Sequence, residues 1–232
     1  MSRRAAALLV LGLVAPVAPV AGQGHGPIFG LSTPTLGQGG WSLDVGAMGR
    51  VLSGRRMVML RPMLGYGLTE DLQLTASVPV SLARDPGIPA MRAFTRMPAT
   101  RDVEVGVGWR LQRRGLEVGA RQETTLWLAV DQRLDDTRGA VSATPGVFGA
   151  LVTGYASRSV YLWAGGAHRR FASSGGERPG DQTMASLVVG YRPSFLRHDY
   201  PNPDWRGFLE VVGEWAGADR IAGRDVPDTG GR

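Results

Sequence analysis

Residues 72–82 read Leu72-Gln73-Leu74-Thr75-Ala76-Ser77-Val78-Pro79-Val80-Ser81-Leu82. Successive side chains of an extended chain point to opposite sides, so Leu72, Leu74, Ala76, Val78, Val80 and Leu82 share one face, and Gln73, Thr75, Ser77, Pro79 and Ser81 share the other. A helical period of 3.6 would scatter both sets around the axis. The stretch predicts a strand with one apolar and one polar face.

The same template fits Trp41 to Leu52, Asp102 to Gln112 and Leu116 to Val130, with weaker copies over 57–68, 144–155, 160–171, 183–192 and 205–215. Nine strands, most of ten residues or more, predict an all-β, antiparallel up-and-down fold. Alternation alone does not say which face is inside. Three features point to a transmembrane β-barrel. Tight turns at 68–71, 112–115 and 156–159 interleave with longer loops near 83–101, 131–143 and 172–182, the asymmetry of outer-membrane barrels. Strand lengths match a tilted crossing of a hydrocarbon core, whereas strands of soluble proteins have about five or six residues. Trp41, Tyr66, Trp109, Tyr161, Trp163, Tyr191, Trp205 and Trp215 lie mostly near strand ends, where aromatic girdles belong.

Composition excludes several classes. The 232 residues contain no Cys, which removes disulfide scaffolds and cysteine-ligated zinc domains. Every basic residue is Arg, and the net charge is +6. The arginines are scattered and form no basic stripe with interleaved aromatics, so nucleic acid is not an expected partner.

Arg3 and Arg4, the apolar run from Ala5 and the small-residue exit near Ala21 read as a secretory signal peptide over 1–23. Pro16 and Pro19 argue against a spanning helix there. Residues 24–40 are expected to form an N-terminal periplasmic arm, and 41–232 an outer-membrane barrel. An odd strand count does not close an ordinary bacterial barrel, and 216–232 read as one more external loop. The sequence thus reads as C-terminally truncated, with ten or twelve strands when complete.

If the apolar face meets lipid, the polar face lines the lumen. That face carries Asp44, Arg50, Arg61, Glu104, Arg110, Glu117, Arg121, Glu123, Arg206, Glu210 and Glu214. Charges at membrane depth require partners or water, so the set reads either as a plug of ion pairs or as a charged channel wall. Met57, Met59 and Met63 share a face of the second strand, and Met48 lies on the polar face of the first. Soft thioethers suit Cu(I), which makes these four a candidate metal site; the alternative is that Met fills an irregular interior. Asp131, Asp135 and Asp136 lack the ligand spacing of a calcium loop and read as a solvated acidic loop. His25, His168 and His198 accompany no nucleophile motif, so no catalytic residue and no cofactor is expected.

The segment His25-Gly26-Pro27-Ile28-Phe29-Gly30-Leu31-Ser32-Thr33-Pro34-Thr35-Leu36-Gly37-Gln38-Gly39-Gly40-Trp41, the turn Gly67-Leu68-Thr69-Glu70-Asp71-Leu72 and the phrase Ser77-Val78-Pro79-Val80 together resemble the outer-membrane transporter β-barrel family associated with the phenol degradation meta-pathway. The resemblance covers residues 25–230. It implies a passive channel or transporter for small solutes, aromatic or hydrophobic ones among them, and transfers no catalytic residue. The expected partners are outer-membrane lipid, lipopolysaccharide and a small solute. A non-transporting structural barrel is the competing expectation, favoured if the lumen proves blocked, and a copper-handling barrel is a further one.

Overall fold

The computed structural model describes residues 31–33, 35–52, 55–78, 80–84, 102–133, 145–173, 176, 178–196 and 206–226. The signal peptide expected over 1–23, and the residues of the arm before Leu31, lie outside them.

The fold is one antiparallel sheet plus a small hairpin. Its strands are β1 (Trp41–Leu52), β2 (Arg55–Gly67), β3 (Leu72–Ser77), β4 (Val80–Arg84), β5 (Asp102–Gly115), β6 (Arg121–Arg133), β7 (Gly146–Ala156), β8 (Val160–Phe171), β9 (Gln182–Tyr191) and β10 (Gly207–Ala216), and the hairpin is β11 (Asp219–Ile221) and β12 (Arg224–Val226). Neighbours follow chain order from β1 to β10, with β4 pairing back onto β2 beside β3. The up-and-down antiparallel meander expected from the dyad pattern is therefore observed. In the described residues β1 and β10 do not pair with each other, and the sheet is not closed.

Three local readings change. The expected strand 72–82 divides into β3 and β4, both laid against β2. The division spans Pro79, a residue with no N–H for a ladder. The turn expected at 112–115 is strand. β5 runs on to Gly115, and the reversal is made by Leu116 to Ala120, with a 3-10 turn at Glu117–Gly119. The register along β5 explains the extension. It steps from Arg110↔Thr125 to Gln112↔Thr124, so Leu111 is a bulge residue and the facing of everything after it is inverted. The third change is the arm. Residues 31–33, 35 and 36 lie against the inner face of the sheet, with Leu31, Ser32, Thr33 and Thr35 all buried.

The sheet curls. Arg169 Nη2 on β8 reaches Glu104 Oε2 on β5 at 3.0 Å, although three strand steps on a flat sheet hold their Cα atoms about 14 Å apart. The concave side collects one parity of each strand: Glu104, Gly106, Gly108 and Arg110 on β5; Glu123, Thr125, Trp127, Ala129 and Asp131 on β6; Phe148, Ala150 and Val152 on β7. The convex side carries the other parity and is apolar and exposed: Leu43, Val45, Leu82, Val105, Leu128, Val130, Val147, Leu151, Leu187, Val189, Leu209 and Val211.

Among the described aromatics expected at strand ends, Trp41 and Tyr66 form a cross-strand pair at the end of the sheet where the 68–71 turn lies, with ring centroids 4.4 Å apart. Trp109 and Tyr191 also stand outward, and exposed, toward that end, and Trp215 toward the other. Tyr161 and Trp163 depart from the expectation. They turn inward, stacked on each other and near Phe208, because their parity on β8 is that of the concave face.

Glycine makes this inner packing possible at Gly154. A Cβ there would stand 2.2 Å from Trp163 Cδ1 and 2.5 Å from the Leu162 carbonyl oxygen. Gly154→Val is expected to lower stability by about 2 kcal/mol or more, read as a lower urea midpoint for the folded protein in detergent.

Candidate functional site

The concave face holds two networks of charge. In the first, Arg169 Nη2 donates to Glu104 Oε2 at 3.0 Å and Arg61 Nη2 donates to Glu104 Oε1 at 3.4 Å, so one carboxylate joins guanidinium groups from β2 and β8. Asp131 adds a second carboxylate 3.8 Å from Arg169 Nη1. The Arg169 guanidinium also lies 5.4 Å from the Phe148 ring centroid, over its face. In the second network, Arg110 donates to Glu123 Oε1 at 3.0 Å and to Asp71 Oδ1 at 2.8 Å, and also to the Glu70 carbonyl. Arg121 Nε stands 3.3 Å from Glu123 Oε2. The pairs named in each network balance two arginines against two acids. Arg169 and Glu123 are both 1% exposed, a depth at which an unpaired charge is not tolerated.

Beside these networks the same face is apolar. Phe148, Ala150, Val152, Trp163, Ala167, Met184 and Val188 form one buried cluster, flanked by Trp127, Ala129, Tyr161, Phe208 and Val212. The expectation of a polar inner face therefore fails on β7 to β9, where both faces are largely apolar.

Leu31 belongs to that cluster. The segment it leads is fixed by wall side chains. The Leu31 N–H donates to Ser186 Oγ at 3.2 Å, and the Leu36 N–H to Gln73 Oε1 at 2.7 Å. Trp127 Nε1 donates to the Ser32 carbonyl at 3.1 Å, and Thr125 Oγ1 to the Thr33 carbonyl at 2.7 Å. The Thr33 hydroxyl donates to Glu123 Oε2 at 3.4 Å. Partners on β3, β6 and β9 thus hold one short segment across the concavity.

Of the eleven expected lumen residues, the structure brings Arg61, Glu104, Arg110, Arg121 and Glu123 together in these networks. Asp44 is on β1 opposite Met63, and Arg50 is opposite Met57. Glu210 and Glu214 lie on β10, opposite Val188 and Met184. Arg206 precedes β10 and covers the Tyr161 ring at 5.7 Å. Glu117 is not on the wall; the β5 extension places it, exposed, in the 3-10 turn. Of the methionine set, the β1–β2 register aligns Met48 with Met59 and places Met57 and Met63 further along β2. The side chains of Met48, Met57 and Met59 lie outside the described residues.

Asp131 corrects another expectation. It is no loop residue but the last buried position of β6, 4% exposed and facing Arg169, while Asp135 and Asp136 lie outside the described residues. Its parity with Arg121 and Glu123 is readable in the sequence; ending the strand at Val130 hides it. Arg169 is missed for a different reason: its companions on β8, Trp163 and Ala167, look like an outward apolar face. Asp71 and the Leu31–Leu36 segment have no alternation to reveal them. His168 stands on the outward face, where its Nδ1 and Thr183 Oγ1 share a hydrogen bond at 3.0 Å. Among the described residues no group of three or more His, Cys, Asp or Glu is placed to hold a metal ion.

An open cleft of about 550 Å³ runs along the β9–β10 edge between Tyr191, Pro193, Arg206 and Phe208. Its walls combine inward Phe208 with outward Val189 and Leu209, so it is a groove at the sheet border and lies apart from the two networks.

A concave wall of this kind can bind and exclude. Its charges are held by each other, and its apolar patch is covered by the chain itself. Arg169→Leu leaves Asp131 and one side of Glu104 without a counter-charge, and is expected to lower stability by about 3–5 kcal/mol. Equilibrium urea unfolding in detergent, compared with the exposed control Arg158→Leu, measures the difference. No protein-family model matches the chain, and no curated protein or solved structure matches it either.

Proposed function

We propose that the chain is a membrane-spanning β-barrel of the outer-membrane type, a passive path for small solutes whose interior is occupied at rest by residues 31–36. The observation that carries this reading is the convex face. Leu43 and Leu209 are 68% and 69% exposed, and large apolar side chains recur on that face from β1 to β10. A continuous apolar surface far exceeds what monomeric soluble proteins leave in water, and lipid is the solvent it suits. The buried ion pairs of the two networks lie on the opposite face, as charges at membrane depth require. Lipid and lipopolysaccharide are then the partners of the convex face, and the outer membrane its location. A sealed wall requires the free edges of β1 and β10 to be joined, directly or through further strands.

A second reading, a non-transporting barrel with a structural duty, is favoured by the seated segment and the mutually satisfied charges. Conductance separates the two. Full-length protein in planar bilayers is expected to give discrete current steps that are infrequent in the native chain. Silence in the native chain, and also in a chain whose segment has been loosened by Thr33→Ala, supports the structural duty.

Lipid contact has its own test. Leu128 is outward and exposed near the middle of β6. Leu128→Arg is expected to lower folding stability in phospholipid vesicles by about 2–4 kcal/mol, measured by urea titration of the folded fraction. On a water-facing surface the same change stays within about 0.5 kcal/mol, and that result removes the membrane reading.

A further inference from the structure

We propose that the seat of Leu31 is a binding site for a small uncharged solute with an apolar body and one oxygen acceptor, and that this solute and residues 31–36 exclude each other. The proposal builds on the transport reading by naming the solute class of its interior.

The seat is a built one. Val152 and Val188 are fully buried, Met184 and Trp163 nearly so, and Leu31 completes their cluster. The polar atoms around it form a short code. Trp127 Nε1 and Thr125 Oγ1 donate to two carbonyl oxygens, and Ser186 Oγ accepts an amide hydrogen but carries a hydroxyl that can also donate. Thr125 and Ser186 are buried, so an occupant that offers them nothing leaves polar groups unsatisfied. The occupant must therefore pair an apolar group with a carbonyl or hydroxyl oxygen.

Charge narrows the class further. Glu123 is engaged by Arg110 and Arg121, and Arg169 by Glu104 and Asp131. On β10, Glu210 and Glu214 stand opposite Val188 and Met184 of the seat. Glu210 and Glu214 are themselves engaged, so an ion of either sign must displace a standing interaction before it gains one. Neutral solutes fit.

The present occupant is exchangeable in principle because no β-ladder holds it. Residues 31–33, 35 and 36 are irregular, and their described contacts to the wall are side-chain hydrogen bonds and apolar packing. The turn behind them stays anchored when they leave: Gly39 N–H donates to the Gly67 carbonyl and Gly67 N–H to the Gly40 carbonyl, both on the β1–β2 border. Gly39, at φ +74°, supplies the backbone reversal that aims the segment inward. The segment is thus a tethered competitor, and its tether gives it an effective concentration of about millimolar at the seat.

The test uses the full chain folded in detergent and methyl isobutyl ketone as the probe, since its branched alkyl group matches the Leu31 side chain and its carbonyl matches that of Ser32. Binding is titrated by ligand-observed saturation-transfer NMR, with Val152→Trp, which fills the seat, as the background for partition into the micelle. Leu31→Ser is expected to bind the probe about tenfold more tightly than the native chain. Adding Trp127→Phe to Leu31→Ser is expected to cancel most of that gain. If Leu31→Ser does not fold, as judged by heat-modifiable mobility, Thr33→Ala loosens the segment away from the seat and carries the same expectation. Equal affinity in the native and loosened chains, or no effect of Trp127→Phe, overturns the proposal. Current recordings on the same variants keep the two readings apart. A barrel that shows competition and never conducts upholds the exclusive seat and removes transport, whereas one that conducts without competition does the reverse.

Discussion

One guanidinium ties the sheet into its shape. Arg169 is buried on β8, and its partners come from three other strands: Glu104 from β5, Asp131 from β6 and the Phe148 ring from β7. A charge at that depth is strongly destabilising unless opposite charges surround it. The curled sheet brings those charges to it, and a curled sheet has one crowded and one open side. The crowded side takes paired charges, a compact apolar cluster and the N-terminal segment. The open side receives the alternate residues, Leu and Val prominent among them. Exposure of the apolar face and satisfaction of the buried arginine are two aspects of the same curvature.

Most of the architecture is legible in the sequence because a two-residue period is a local property. Strand positions over 41–52, 144–155, 160–171 and 183–192 differ from the observed β1, β7, β8 and β9 by at most two residues at either end. Failures fall where a single residue breaks the period. The Leu111 bulge inverts parity, so the Gln112–Gly115 stretch resembles a turn and Glu117 is assigned to a wall it does not touch. Pro79 interrupts a run that looks continuous by hydropathy. The bulge at Leu111 leaves no mark in composition, whereas at Pro79 the mark is the proline itself.

The interior was only half readable. Glu104, Arg110 and Glu123 stand out because a charge within an alternating strand has few places to go. Trp163, Val152 and Val188 do not, because an apolar residue of either parity reads as lipid-facing once the convex side is taken as the greasy one. That rule holds for an interior filled with water and fails for a concave face packed with its own side chains. The Leu31–Leu36 segment is harder still. Leu-Ser-Thr-Pro-Thr-Leu carries no period, and its partners Gln73, Glu123, Thr125, Trp127 and Ser186 are ordinary wall residues until the chain crosses them.

Those crossings span long stretches of chain, and the spans set the entropy cost of each closure. The bonds from the segment to β3 close a loop of 37 residues, those to β6 close loops of 90 to 95, and the bond from Leu31 to Ser186 closes one of 155. Hairpins between neighbouring strands form over a handful of residues and need none of these closures. Closure entropy rises with loop length, so the bond that fixes Leu31 to β9 carries the largest closure cost of the segment's contacts. Once the sheet is formed and the turn at Gly39 and Gly40 is bonded to β2, that cost is already met, and the same segment is held by a short tether.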